Sequence, residues 1–164
     1  MSLCGRAHVF GDHVDTDRII PGKYTKTLDT SDLARHVLED LDPGFSARVR
    51  VGDLLVAGVN FGCGSSREQA PLALKAAGVA AVIARSFARI FFRNAINIGL
   101  PAVEVADHEI HNLSELQVDL QKGEVIDRTA DRTYKVAAMP GVMVDILREG
   151  GLVAYLKKYG DYQI

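Results

Sequence analysis

Short apolar runs, separated by glycine-rich or acidic loops, recur along the chain. Arg6 to Phe10 alternates polar and apolar residues, which predicts a short strand. Gly11 to Asp17 is a polar, acidic loop, and Ile19-Ile20-Pro21-Gly22 ends it with turn chemistry. From about Ser31 to Leu41, Leu33, Val37, Leu38 and Leu41 share one face of a predicted helix. Thr30 or Ser31 would cap it and Asp42-Pro43-Gly44 would stop it.

The middle of the chain is the most regular. Asp53 to Ala57 reads as a buried strand, Asn60 to Ser66 as a glycine-rich loop, and Ser66 to Ala77 as a helix closed by Gly78. Val79 to Ala84 is a second buried strand. Ser86 is placed to cap a helix reaching Asn97, with Phe87, Ile90, Phe91 and Asn94 at helical spacing. Leu100 to Val105 is a third strand. Strand–helix–strand–helix–strand order implies a parallel βαβαβ core with right-handed crossovers. After Asp107 the pattern changes. Leu116–Leu120 and Glu124–Asp127 flank a Lys122-Gly123 hairpin signal, and Arg132 to Ala137 adds a strand. Val142–Glu149 and Leu152–Tyr159 are short helices around Gly150-Gly151. No repeat or linker interrupts residues 1–164, so the expected fold is one α/β domain with an additional antiparallel β portion.

Composition narrows the function more than the fold. The chain has 164 residues and a net charge of −2, so neither a basic nucleic-acid surface nor an acidic arm is indicated. Met1 to Phe10 lacks the apolar core of a signal peptide, and no apolar run is long enough to span a bilayer. Cys4 and Cys63 are the only cysteines, which reads as reduced thiols in a cytoplasmic protein. Two thiols are too few for a zinc site or a four-cysteine cluster held by this chain alone, so no metal ligand is assigned to it.

The informative segment is Asn60-Phe61-Gly62-Cys63-Gly64-Ser65-Ser66-Arg67-Glu68. It follows the carboxyl end of a buried strand, where open α/β sheets hold their ligands. Glycines permit close backbone approach, the coming helix offers unpaired amides, and Arg67 adds a fork for a carboxylate or phosphate. The segment lacks the third glycine of a dinucleotide loop and the lysine of a P-loop. A helix cap needs one hydroxyl, and here there are two. A serine hydroxyl here is therefore either a base or nucleophile beside an electropositive group, or Ser65 or Ser66 only caps the helix and Glu68 completes a capping box. His108-Glu109-Ile110-His111 reads as a solvated loop, and no EF-hand spacing follows Asp12 or Asp15. Arg85, Arg89 and Arg93 recur every fourth residue, as a solvated face or as one that meets a partner or an anion.

Three segments in order resemble the small, swivelling domain of the aconitase superfamily. They are Asn60 to Glu68, the acidic motif Asp15-Thr16-Asp17-Arg18-Ile19-Ile20-Pro21, and Ala84 to Pro101. The likeness runs from Gly5 to the C-terminus. The short, free-standing form is similar to the small subunits of the leucine-pathway branch, whose substrate is isopropylmalate. The resemblance implies a swivelling β/β/α domain and a dehydration–rehydration reaction on a branched hydroxy-dicarboxylate. It implies Ser65 as the general base, Ser66 and Arg67 as carboxylate binders, and Asp17 as an active-site hydrogen-bonding group. Asp17 as a simple turn cap stays open.

The resemblance also places the substrate-recognition loop at Tyr24, Thr25, Lys26 and Thr27. Apolar residues after the tyrosine suit an isopropyl group, and a basic residue suits an extra carboxylate, as in homoaconitase. Thr25 and Lys26 match neither pattern cleanly, and Lys26 is equally free to point at solvent. The implied cofactor is a [4Fe-4S] cluster supplied by an aconitase-like large subunit, with none bound by this chain. Self-association of the isolated chain stays open, as does a non-catalytic anion-binding role.

Overall fold

The structure is a computed structural model and describes residues 1–162. A single mixed sheet organises it. The strands are β1 (Ser2–Val9), β2 (Leu54–Ala57), β3 (Ala81–Ala84), β4 (Ala102–Glu104), β5 (Glu115–Asp119), β6 (Glu124–Asp127) and β7 (Arg132–Lys135), in the spatial order β4-β3-β2-β1-β5-β6-β7. β1 to β4 pair in parallel, with Val9 opposite Val56 and Ala57 opposite Ala84. β1 also pairs antiparallel with β5, and β5, β6 and β7 continue antiparallel. The expected α/β class, with a parallel βαβαβ core and an antiparallel portion, is the fold observed.

The helices are α1 (Thr16–Ile19), α2 (Thr30–His36), α3 (Phe45–Arg48), α4 (Gln69–Ala76), α5 (Arg89–Asn97), α6 (Gly141–Arg148) and α7 (Leu152–Tyr159). None of the described helices is long and apolar enough to cross a membrane. Alternate residues of a strand face opposite sides of a sheet. Leu55 and Ala57 enter one core with Leu33, Phe45, Leu74 and Phe91, and Leu54 and Val56 enter the other with Val144, Leu147 and Tyr155. Helix α5 reaches both, through Phe91 and Ala95 on one side and Ile96 on the other. Continuous apolar runs thus form β2 and β3 because both faces are covered.

Several local expectations are corrected. Helix α2 is capped by Asp29, whose carboxylate accepts from the Ser31 and Asp32 amides, and it ends at His36 rather than Leu41. Val37 turns extended, Leu38 takes a φ of 57°, and the Leu38 amide donates to the Ile19 carbonyl at 2.8 Å. Both side chains are buried, so tertiary burial overrides helical periodicity there. Ser86 does not cap α5. Its hydroxyl accepts from the Asn60 amide at 2.7 Å, and α5 starts three residues later. Arg85 therefore lies outside the helix, and its guanidinium donates to the His108 carbonyl at 2.8 Å. His108 is not solvated either. It is buried, with Nε2 2.9 Å from the Ala57 carbonyl at the end of β2.

At the opposite end of the sheet, Asp53 collects the structure's most connected buried charge. Its carboxylate lies 2.8 Å from His8 Nε2, accepts from the Arg50 amide at 3.0 Å, and pairs with Arg6 at 3.2 Å. Burial pushes its pKa up, but the bonds from His8, the Arg50 amide and Arg6 outweigh burial and hold the carboxyl below its usual value. A depressed folded-state pKa adds stability that is complete above the unfolded value, about 3.9, and that is lost as pH falls through the folded value. Asp53→Asn is expected to lower stability at neutral pH by about 3 kcal/mol. It is also expected to flatten the loss of stability below about pH 4. Urea denaturation across that range checks both.

Candidate active site

Three loops leave the carboxyl ends of β1, β2 and β3 at one edge of the sheet and are joined by backbone bonds. The His13 amide donates to Val59 at 2.9 Å, the Gly62 amide to Val14 at 2.8 Å, and the Thr16 amide to Cys63 at 2.9 Å. Phe61 is linked in the same way to the segment after β3. Its amide donates to Ser86 at 3.0 Å, its carbonyl accepts from Ala88 at 2.9 Å, and it forms an isolated parallel bridge with Phe87. Gly62 sits where this network is tightest. Its φ is 81°, and a Cβ there would lie 2.2 Å from the Phe91 ring. Only glycine fits both the angle and the space.

Beyond Gly62 the chain turns outward and exposes Gly64, Ser65 and Ser66. Helix α4 begins at Gln69, not at Ser66, and no side chain caps it. Neither serine is a cap, and the capping box with Glu68 does not form. The hydroxyl of Ser65 lies 3.3 Å from that of Thr16, and Thr16 Oγ1 donates to the Ser65 carbonyl at 3.0 Å. Ser66 makes no hydrogen bond with the described residues. The amides of Gly64, Ser65 and Ser66 likewise find no acceptor among them, leaving three adjacent donors at the surface. Successive free amides in a turn form an anion-binding concavity.

Arg67 stands at the inner edge of those donors, with its side chain 26% exposed. Its guanidinium pairs with the Asp17 carboxylate from the β1 loop. Asp17 does not cap α1; Asp15 does, accepting from the Arg18 amide at 2.9 Å. One carboxylate leaves most of the five donors of a guanidinium available. The exposed pair adds little stability, and its effect is to orient Arg67 along the loop.

The 3₁₀ turn Gly22–Tyr24 brings the Tyr24–Thr27 segment alongside. A Cβ on Gly22 would lie 3.4 Å from both terminal nitrogens of Arg67. Gln69 Nε2 donates to the Thr25 carbonyl at 3.2 Å, tying the segment to the first residue of α4. Tyr24 stacks flat on His36, with ring centres 3.7 Å apart. His36 Nδ1 lies 2.8 Å from Glu39. Burial pushes the Glu39 pKa up, yet hydrogen bonds from His36 and Tyr24 and the nearby charges of His36 and Lys23 leave it lowered. The hydroxyls of Thr25 and Thr27 face the backbone instead of a ligand: Thr25 donates to Gly22, and Thr27 accepts from the Asp29 amide. Lys26 is exposed and has no partner among the described residues.

Ser65, Ser66, Arg67 and Asp17 are thus brought together, with the Tyr24–Thr27 segment beside them. Thr16 and Gln69 are the residues that sequence reasoning passed over. Thr16 stood inside the acidic motif, between two aspartates that drew attention by charge. One well-formed cleft includes none of these residues. It lies between α5, β4 and α6, lined by Phe87, Arg89, Phe92, Arg93, Glu104 and Met143. Among the described residues no three His, Cys, Asp or Glu side chains converge as a metal site.

A serine-bearing loop that follows a parallel strand, clamped by an acidic turn from the neighbouring strand, defines the swivelling-domain class of the aconitases. The Aconitase C-terminal domain family matches residues 44–108, from α3 past β4. The 3-isopropylmalate dehydratase small subunit 2 of Archaeoglobus fulgidus is 55% identical over 165 residues, covering all of both chains. The methanogen homoaconitase small subunit of Methanothermobacter thermautotrophicus is 53% identical, covering 94% of this chain and 90% of its own. The crystal structure of 3-isopropylmalate dehydratase from Methanocaldococcus jannaschii superposes with a TM-score of 0.92 at 50% identity, covering 98% of this chain and 96% of that one. The chain belongs to the 3-isopropylmalate dehydratase small-subunit family.

Gly62→Ala is expected to destabilise the chain by about 3 kcal/mol, from the disfavoured φ together with overpacking against Phe91. Equilibrium urea denaturation measures it. Restoring space with Phe91→Leu should recover only the packing part of the loss.

Proposed function

We propose that this chain is the small subunit of a two-chain hydro-lyase that interconverts 2-isopropylmalate and 3-isopropylmalate in leucine biosynthesis, in the cytoplasm. The observation that carries this reading is the exposed Ser65 hydroxyl, paired with the buried Thr16 and flanked by three free amides and Arg67. A substrate carboxylate would seat against those amides, the Ser66 hydroxyl and Arg67. Ser65 Oγ, as its alkoxide, would take the proton from the adjacent C–H, and the hydroxyl would leave the neighbouring carbon as hydroxide to give a double bond; the proton on Ser65 and that hydroxide together make up the eliminated water. Return of the hydroxide in the opposite sense would place the hydroxyl on the carbon that lost the proton, and Ser65 would give its proton to the other carbon and so recover its alkoxide.

A serine hydroxyl is far too weak an acid to be ionised in water at neutral pH, so its base role depends on the electropositive surroundings of the loop. The leaving hydroxyl needs a Lewis acid, which the cluster-bearing large subunit would supply. This chain's donor set does not fit such a cluster. Its two cysteines lie apart, Cys4 exposed on β1 and Cys63 in the serine loop, and a [4Fe-4S] cluster takes about four thiolates.

Ser65→Ala, assayed in the complex with its large subunit, is expected to lower kcat by about 10²–10⁴-fold with KM nearly unchanged. An unaltered kcat would refute the base role. A second reading keeps the chemistry and takes homoaconitate, on the ground that Lys26 is exposed and unpaired beside the recognition turn. Assaying the complex on both acids separates the two. Turnover of isopropylmalate insensitive to Lys26→Ala supports the first reading. Turnover confined to the tricarboxylate, with KM raised about tenfold or more by Lys26→Ala, supports the second.

A further inference from the structure

We infer that Thr16 is the positioning residue of Ser65, a hydroxyl rotor that turns from the Ser65 backbone to the Ser65 Oγ when the base loses its proton. This rests on the reading of Ser65 as base. Thr16 is 3% exposed, whereas Ser65, directly beside it, is open to solvent. A buried hydroxyl needs partners within the fold. Both partners of Thr16 Oγ1 are on one residue: the Ser65 carbonyl at 3.0 Å and the Ser65 Oγ at 3.3 Å.

The rest of Thr16 is held in place. Its amide donates to Cys63 at 2.9 Å, and its carbonyl accepts from Ile20 at 3.0 Å. A β-branched side chain has few χ1 choices. The hydroxyl proton is the part left free to move, by rotation about one bond.

A threonine hydroxyl has one proton and two lone pairs. With Ser65 protonated, Thr16 donates to the carbonyl at 3.0 Å and accepts from the Ser65 hydroxyl at 3.3 Å. With Ser65 ionised, the serine no longer donates, and the Thr16 proton swings from carbonyl to alkoxide. Hydrogen bonds to ionised acceptors are roughly twice as strong as neutral ones, so the swing favours the ionised form. The Ser65 carbonyl also accepts from the Arg67 amide at 2.9 Å, so it keeps a partner when the Thr16 proton leaves. Thr16 thus stabilises the active base without touching the substrate and without adding charge.

The test uses the assembled two-chain enzyme. Thr16→Val keeps the shape and removes the rotor, and Thr16→Ser keeps the rotor. Thr16→Val should lower kcat at neutral pH by about ten- to a hundredfold, with KM within about twofold. It should also move the acid limb of the kcat–pH profile up by about one unit, the equivalent of one tenfold step. Thr16→Ser should restore kcat and the profile. In a Ser65→Ala background, Thr16→Val should cost nothing more.

An unshifted profile with Thr16→Val, or a loss confined to KM, overturns the inference. So does failure of Thr16→Ser to rescue, which would assign the effect to packing of the threonine methyl. If Ser65→Ala abolishes turnover while Thr16→Val leaves it intact, only the rotor is wrong. If Ser65→Ala retains turnover, the base reading falls and the rotor falls with it.

Discussion

Parallel pairing of β1, β2 and β3 sends three chain segments out of the sheet at the same end. The amides there have no further strand to bond, and leaving buried donors unpaired costs about as much as a lost hydrogen bond each. The segments satisfy one another instead. Residues after β1 bond to residues after β2, from His13–Val59 through Gly62–Val14 to Thr16–Cys63, and Phe61 extends the contact to Ser86 and Ala88 after β3. This closure fixes where the chain stops being buried. Up to Gly62 the loop is pinned against Phe91, and after Cys63 nothing within the described residues binds the Gly64, Ser65 and Ser66 amides. The serine turn is what projects once the backbone accounting behind it is complete.

Much of this was legible in the sequence because it depends on local pattern. The buried runs at Leu54–Ala57 and Ala81–Ala84, the Lys122-Gly123 hairpin and the glycine-rich loop all became the elements that their residues predict. The misses occurred where a distant group outbid a near one. Leu38 left the helix to bond with Ile19, Ser86 gave its hydroxyl to Asn60, and His108 went under the sheet edge to reach Ala57. Helix periodicity and cap residues describe competition within a few positions along the chain, and these partners lie 19 to 51 positions away in sequence or belong to another loop. Thr16 was missed for the same reason. A threonine between two aspartates carries no signal of its own, and its importance depends on Ser65, which lies 49 positions further on.

Exposure of the serine loop sets a physical limit on what this chain does alone. Ser65 and Ser66 lie in water, where charges and hydrogen bonds are worth little, and an alkoxide there would be protonated at once. The same donors act strongly only when a second surface covers them and removes solvent. On the proposed function that surface is the large subunit, which would bring the Lewis acid and the low dielectric together. The small chain then contributes rigidity: a base held by a buried neighbour and a guanidinium aligned by Asp17.

The Gly22–Thr27 segment, which on the proposed function recognises the substrate side group, is attached to that rigid part at two points with different chemistry. Gln69 holds the Thr25 carbonyl from the first turn of α4, and Gly22 packs beside Arg67. Tyr24, stacked on His36, anchors the other side against α2. Lys26, which follows the anchored Thr25, has no partner among the described residues, and its charge is not used in holding the fold. Substrates that share a hydroxy-dicarboxylate core and differ in one side group need the same base and the same carboxylate seat. On the proposed function, a scaffold that fixes Ser65 and Arg67 and leaves the Lys26 side chain unpaired in the neighbouring segment separates the two tasks. The residue at position 26 can then change with the side group without disturbing the proton transfer.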